Sequence, residues 1–295
     1  MQIVEEQINR LIQECDYDEV SRLFSTLSGG KRLRAKLILK IAKEQKDAPV
    51  LAAIVELIHA ASLLHDDVID DADTRRGVAS VNATEGSKTA VMLGDILYSK
   101  AFTELVTFDK EIAQIIASSV TALSKGEMMD VKMAQSFNSD EEKYLNMLYL
   151  KTATLIEAAA KAAASLSGKD VEKYAVYGRN LGLSFQIIDD ILDITADEAT
   201  LGKPAMNDFV EGKCTLPYIY LYHELSAAEK EKLVALHGKK ISNEETQWIK
   251  QKMAEHKTIE KSFQLAQKLS SEAQEVLSDD KELVAILDTM IKRSY

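Results

Sequence analysis

Asp66, Asp67 and Asp70 stand in the spacing D-D-x-x-D, and Asp189, Asp190 and Asp193 repeat it. On a helix, positions i, i+1 and i+4 fall within about 100° of arc, so each triad projects its carboxylates from one face. Carboxylates crowded in this way raise one another's pKa unless cations take up the charge. Hard oxygen donors with no cysteine beside them suit Mg²⁺ or Mn²⁺, and Mg²⁺ usually keeps waters and shares its shell with substrate phosphates. One such cluster is most often a solvated helix end. Two copies, each after an unusually apolar stretch and the first running into Arg75 and Arg76, point instead to a metal and an anionic substrate.

Basic residues supply a second set of anion contacts. In "SGGKRLRAKLILK", Gly29 and Gly30 precede a helix whose first turns are expected to carry Lys31, Arg32 and Arg34, so backbone N–H groups and cationic side chains can converge on a phosphate. Lys151 with Thr152, and Lys203 with Lys213 in "GKPAMNDFVEGK", add cations beside apolar sequence, although each alone reads as surface charge. His59, on an apolar segment, would by itself be a satisfied core histidine, and His65 is read as structural.

The elements that must position these groups are helices. With only 3 prolines and 12 glycines in 295 residues, against about 15 and about 20 for average usage, helix breakers are scarce. The segments "VLAAIVELIHAASLL" (50–64) and "LGLSFQII" (181–188) are apolar nearly all round and belong in an interior, and each runs into one of the triads. Helix starts are marked by Ser139 with Glu142, Ser226 with Glu229 and Ser242 with Glu245. Gly238 reads as a C′ residue, and Ser278, Asp279 and Asp280 open a last helix that ends in Lys292 and Arg293. With no linker, low-complexity tract or solenoid repeat, the reading is all-α, a single-domain helical bundle over residues 1–295.

A net charge of -11 argues against nucleic-acid binding. Cys15 and Cys214, without metal-type spacing, fit free thiols in a reducing compartment, and the protein is read as cytoplasmic. No signal peptide is evident, and no transmembrane segment is expected.

"GGKRLR", "LLHDDVIDDADTRRG", "LKTATL", "FQIIDDILD" and "GKPAMNDFVEGKCTLP", in this order and spacing, resemble the trans-polyprenyl diphosphate synthases over nearly the whole chain. The plain first motif, preceded by Ala61 and Ser62, resembles the long-chain branch, of the octaprenyl diphosphate synthase kind. The resemblance implies an isoprenoid synthase fold around a deep central cavity, a homodimer, Mg²⁺, and condensation of isopentenyl diphosphate with an allylic diphosphate. It implies metal binding by Asp66, Asp67, Asp70, Asp189, Asp190 and Asp193. Asp66, Asp70, Asp189, Arg75, Lys151 and Lys203 would form the catalytic set. Lys31, Arg34, His59 and Arg76 would bind isopentenyl diphosphate, Lys151, Thr152, Gln186 and Lys203 the allylic partner, and Arg75 would also bind substrate, neutralising charge as the C–O bond breaks. Ala61 and Ser62 would govern chain length, above a floor for which Met128, Met129 and Met133 are candidates. Met206 and Cys214 depart from the family, which commonly has Gly at the first position and Ala or Pro at the second.

Rival readings fare worse. A di-iron bundle needs two E-x-x-H motifs, and Glu56 with His59 supplies one. An HD-type phosphohydrolase lacks a suitably separated second histidine. Terpene cyclases normally replace the second acid motif, and non-catalytic subunits of heteromeric prenyl synthases tend to lose both. The remaining alternatives are a short-chain farnesyl or geranylgeranyl diphosphate synthase and, from another class, a non-catalytic regulatory subunit of a heteromeric prenyl synthase.

Overall fold

Few residues interrupt the helical pattern, and the computed structural model, which describes residues 1–27, 30–75, 77–196 and 206–291, is all-α apart from one short hairpin. Gly29, Arg76, Lys203, Lys292 and Arg293 lie outside the described residues. The chain divides into two compact units, residues 1–121 with 155–175 and residues 122–154 with 176–295. The divisions fall within or beside long helices.

The first unit contains α1 (Gln2–Gln13), α2 (Asp18–Thr26), α3 (Leu33–Ile41), α4 (Ala48–Ile69), α5 (Val81–Glu85), α6 (Ser87–Leu105), the start of α7 (Lys110–Met133), most of α9 (Thr154–Leu166) and the start of α10 (Val171–Thr195). Its centre is α4, against which α6, α3 and α1 pack. Pro49 opens α4 in the first turn, where its missing N–H costs nothing, and the run from Leu51 to Ile58 is buried throughout. This helix departs from the expectation that no segment is apolar enough to span a membrane: by length and composition it passes that test. Its burial supplies the reason, since 67% of its apolar window is covered by protein.

After α4 the chain turns through a two-stranded hairpin, β1 (Thr74–Arg75) on β2 (Val78–Ala79), with Arg75 paired to Val78. Ser80 fixes the exit: its Oγ accepts from Ala83 N at 3.0 Å, capping α5, and donates to Ala72 O at 2.6 Å.

The second unit holds the rest of α7, α8 (Glu141–Leu148), a π-helical turn (Tyr149–Ala153), the remainder of α10, α11 (Asn207–Val210), α12 (Leu216–Glu224), α13 (Ala227–Leu236), α14 (Asn243–His256), α15 (Thr258–Val276) and α16 (Lys281–Ile291). Met133, Tyr144, Met147, Ile187, Ile188 and Phe263 belong to one of its apolar clusters. Met206, Phe209, Tyr218 and Leu233 belong to another, in which the Phe209 and Tyr218 rings stack at 4.4 Å.

Capping signals hold where side chain and backbone are in register. Glu229 accepts from both Ser226 N and Oγ, and Glu245 accepts from Ser242 N at 2.6 Å. Gly238 follows α13 at φ 68°, a left-handed conformation suited to a residue without a Cβ. Two signals shift. Helix α8 is capped by Asp140, which accepts from Lys143 N at 3.0 Å, rather than by Ser139. Asp280 accepts from Leu283 N at the start of α16, rather than Ser278.

Candidate active site

In both acid motifs the middle aspartate is buried and tied to neighbours. Asp67, 4% exposed, receives Arg75 Nε at 2.7 Å and Nη2 at 2.6 Å, so the arginine on β1 reaches back to the helix it has just left. Asp190, 5% exposed, receives the Tyr144 hydroxyl on one oxygen and Gln186 Nε2 on the other at 3.0 Å. Burial pushes the Asp190 carboxyl well above its usual range, repulsion from Asp208 and Asp189 adds to this, and the Tyr144 and Gln186 hydrogen bonds pull it back.

The first aspartates, Asp66 and Asp189, are half-buried, and Asp70 is exposed. Asp70 is the C-cap of α4, its N–H still donating to the Asp66 carbonyl at 2.8 Å, and Asp71 turns left-handed at φ 48°. Asp193 is buried; its Oδ2 accepts from Asp208 N at 3.2 Å and its carbonyl from Met206 N at 2.7 Å. That Met206 contact explains the glycine expected there: Met206 sits at φ 62°, where a side chain is strained, while its own side chain is wholly buried. Cys214 is buried, and burial raises its thiol to about 12.

The anion-binding segment of the first unit also differs from expectation. Helix α3 begins at Leu33, so Lys31 and Arg32 precede it and only Arg34 stands in its first turn. Arg32 is left-handed at φ 49° and clasped by Glu5 at 2.9 and 3.2 Å and by Glu56 at 3.2 Å. Glu56 also accepts from Ala35 N at 3.0 Å, so the glutamate of the E-x-x-H pattern is consumed in holding the start of α3. Lys31 is exposed, while Arg34 and His59 are half-buried. His65 Nε2 is bonded at 3.1 Å to the Val91 carbonyl.

In the second unit, Lys151, Thr152, Gln186 and Asp190 line one pocket of about 140 Å³. Lys151 and Thr152 lie on the π-helical turn, a geometry that occurs mainly as single turns inside α-helices and frequently at functional sites. Lys151 Nζ contacts Asp130 at 2.5 Å and Glu127 at 2.9 Å. Burial lowers its pKa, but the two carboxylates outweigh this and hold it above the usual lysine value. Thr152 Oγ1 donates to Gln186 Oε1 at 3.2 Å, and Gln186 passes the chain of hydrogen bonds on to Asp190.

Sequence reasoning missed Tyr144, Asp130 and Asp208, which line this pocket, and Glu127 beside it. Glu127 and Asp130 share an α7 face by their i, i+3 spacing, a signal that was available. Of the proposed floor methionines, Met133 lines this pocket, Met129 is half-buried and Met128 is 74% exposed. Ala61 is wholly buried, and the Ser62 hydroxyl is turned to the His59 carbonyl at 2.9 Å.

The sequence profile of the Polyprenyl synthetase family matches residues 18–255, which run through both units. The chain is 36% identical over 251 residues to the short chain isoprenyl diphosphate synthase of Methanothermobacter thermautotrophicus, covering 80% of this chain and 77% of that protein. It is 37% identical over 229 residues to the octaprenyl diphosphate synthase of Escherichia coli, covering 74% and 69%. Among solved structures it is similar to octaprenyl pyrophosphate synthase from Helicobacter pylori, at a TM-score of 0.92 and 42% identity, covering 99% of this chain and 97% of that one. A decaprenyl diphosphate synthase from Rhodobacter capsulatus aligns at a TM-score of 0.94 and 28% identity, covering 100% and 96%. The fold in common is the all-α isoprenoid synthase fold.

Proposed function

The chain belongs to the polyprenyl synthetase family and is a trans-prenyltransferase, and on that premise we propose that it joins isopentenyl diphosphate head to tail to an allylic diphosphate primer. The product is an all-trans polyprenyl diphosphate of medium to long chain, hexaprenyl to octaprenyl, of the kind used for quinone side chains. The observation that supports the site assignment is the second-unit pocket, whose lining includes Lys151, Thr152 and Gln186 together with Asp190 of the second acid motif.

The donor set suits Mg²⁺. The accessible groups are hard carboxylate oxygens, and no group of three or more His, Cys, Asp or Glu among the described residues could by itself hold a metal. Mg²⁺ commonly takes one or two carboxylates, with waters and substrate phosphates filling its shell. In the first motif Asp66 and Asp70, supported by Asp67, and in the second Asp189, supported by Asp190 and Asp193, are the residues that would hold Mg²⁺, whose charge would offset that of the diphosphate as the allylic C–O bond breaks.

The side chains do the rest by binding and orientation. Lys151, Thr152, Gln186 and Lys203 bind the allylic diphosphate, and Lys31, Arg34, His59 and Arg76 bind isopentenyl diphosphate. Arg75, which also pairs with Asp67 at 2.6 Å, neutralises diphosphate charge as the C–O bond breaks. No protein nucleophile is needed: the isopentenyl double bond attacks the allylic cation, and the departing diphosphate takes the proton released. The protein works as a cytoplasmic homodimer, with residues 1–295 acting as one domain.

The test is to incubate purified protein with isopentenyl diphosphate, allylic primers and Mg²⁺, and to separate the products by length. Asp66→Ala and Asp189→Ala should each lower turnover by orders of magnitude. Full activity in excess EDTA, or near-normal turnover by either variant, defeats the metal assignment. Products that stop at farnesyl or geranylgeranyl length establish instead the short-chain reading, which the Methanothermobacter relative favours. Ala61→Tyr should shorten the products while primer consumption continues, and an unchanged distribution in the folded variant removes Ala61 from length control.

A further inference from the structure

The π-helical turn that carries Lys151 and Thr152 is gripped from two sides by glycines. A Cβ on Gly126 of α7 would lie 2.3 Å from Lys151 N and 2.6 Å from the Leu150 carbonyl carbon. A Cβ on Gly182 of α10 would lie 2.6 Å from Ala153 Cα and 2.7 Å from its Cβ. These are backbone atoms or atoms fixed to the backbone, so no rotamer change relieves the overlap; the turn itself must move by something like an ångström to restore ordinary contact. On the α7 side the grip continues through charge, since Glu127 and Asp130, just beyond Gly126, hold the Lys151 ammonium.

We propose that Gly126 and Gly182 are positioning residues for prenyl transfer: by admitting backbone-to-backbone contact they fix the π-helical turn so that Lys151 and Thr152 meet the allylic diphosphate in register with Gln186 and Asp190. Helix propensity runs the other way. Alanine is the better helix former at both positions, so a functional loss on substitution arises from the contact and not from the helix. Displacing a binding group by about an ångström is enough to cost on the order of 100-fold in rate. This inference rests on the assignment of Lys151 to the allylic site.

The experiment compares Gly126→Ala, Gly182→Ala and Lys151→Ala with the parent enzyme. Circular dichroism and thermal melting report folding, the separate KM values for primer and isopentenyl diphosphate report each site, and inorganic diphosphate with Mg²⁺ serves as the binding probe. Both glycine variants are expected to fold, to lose about 100-fold in kcat/KM for the primer, to bind inorganic diphosphate more weakly, and to keep the isopentenyl diphosphate KM within about twofold. If Lys151→Ala is fully active, the site assignment itself is wrong. If Lys151→Ala is impaired while both glycine variants match the parent, the positioning role is refuted. Equal changes in both KM values, or failure of both glycine variants to fold, reduces the glycines to packing residues and likewise overturns the proposal.

Discussion

Tyr144→Phe removes a single oxygen from the second unit, and its consequence can be worked from the surroundings of Asp190. Tyr144 is 2% exposed and Asp190 5%, so the hydroxyl is a buried, direct donor to this carboxylate. Gln186 Nε2, at 3.0 Å, is left as the remaining side-chain donor described for that carboxylate. A hydrogen bond to a charged group contributes about 1.5–3 kcal/mol, which corresponds to roughly 10- to 150-fold in the balance between charged and neutral Asp190. Burial and Asp208 already push this carboxyl well above its usual range, so the variant holds Asp190 neutral over a wider span of pH. A neutral acid is a poor support for a cation site, and the Mg²⁺ concentration giving half-maximal rate should rise by about the same 10- to 150-fold factor. Linkage gives the sign for stability. With its folded pKa raised, Asp190 contributes stability that is fully present below the ordinary carboxylate range and lost as pH rises through the folded pKa. Tyr144→Phe moves that pKa higher and should deepen the loss at high pH while sparing acid conditions. The assay is a Mg²⁺ titration of initial rates at saturating substrate, with thermal melts at acid and alkaline pH. A half-saturating Mg²⁺ concentration within twofold of the parent, with an unchanged melting profile, would refute the reasoning.

Three further outcomes are expected. Met206→Gly relieves a left-handed residue, a gain of about 1–2 kcal/mol, but empties a buried site, a cost of about 2–5 kcal/mol; denaturant unfolding should show a net loss, and a variant as stable as the parent contradicts this. Burial lowers the pKa of His237 despite its 2.6 Å bond to the Gly212 carbonyl, so stability is full above the ordinary histidine pKa and falls as pH drops toward the folded value; His237→Gln should flatten that acid limb in melts across the range. With the Cys214 thiol raised to about 12, only about one molecule in ten thousand is thiolate at pH 8, so alkylation should await unfolding; rapid labelling of Cys214 in native protein would contradict its burial.

Both acid motifs and the Lys151–Thr152 pair were legible because their chemistry is written in residue type and short spacing. The burial of Asp67 and Asp190 was not. It depends on Arg75 reaching back across a hairpin and on Tyr144, which lies 46 residues from Asp190 in sequence. Three identical letters in a motif say nothing about which one water reaches. Arg32 was misread for a similar reason: a basic residue after two glycines suggests a phosphate contact, whereas Glu5 and Glu56 claim it. Helical periodicity decided the methionines of α7, with Met133 turned inward and Met128 outward, and the run "KGEMMDVKM" gives no sign of which face is covered. The π-helical turn was invisible, because nothing in "LYLKTAT" distinguishes i+5 from i+4 hydrogen bonding until the neighbouring helices are in place.

Arg32 and Lys151, in separate units, share one arrangement: a cation held between two carboxylates, so that each local group is net negative. Residues that a tally counts as attractive to diphosphate therefore contribute little long-range pull, and the overall charge of -11 adds repulsion at a distance. On the proposed function, encounter would favour a polyanion whose charge a divalent ion has already masked in solution over bare diphosphate. On that reading, the pairing that holds Lys151 between Glu127 and Asp130 would act through the rate of arrival rather than the strength of any final contact.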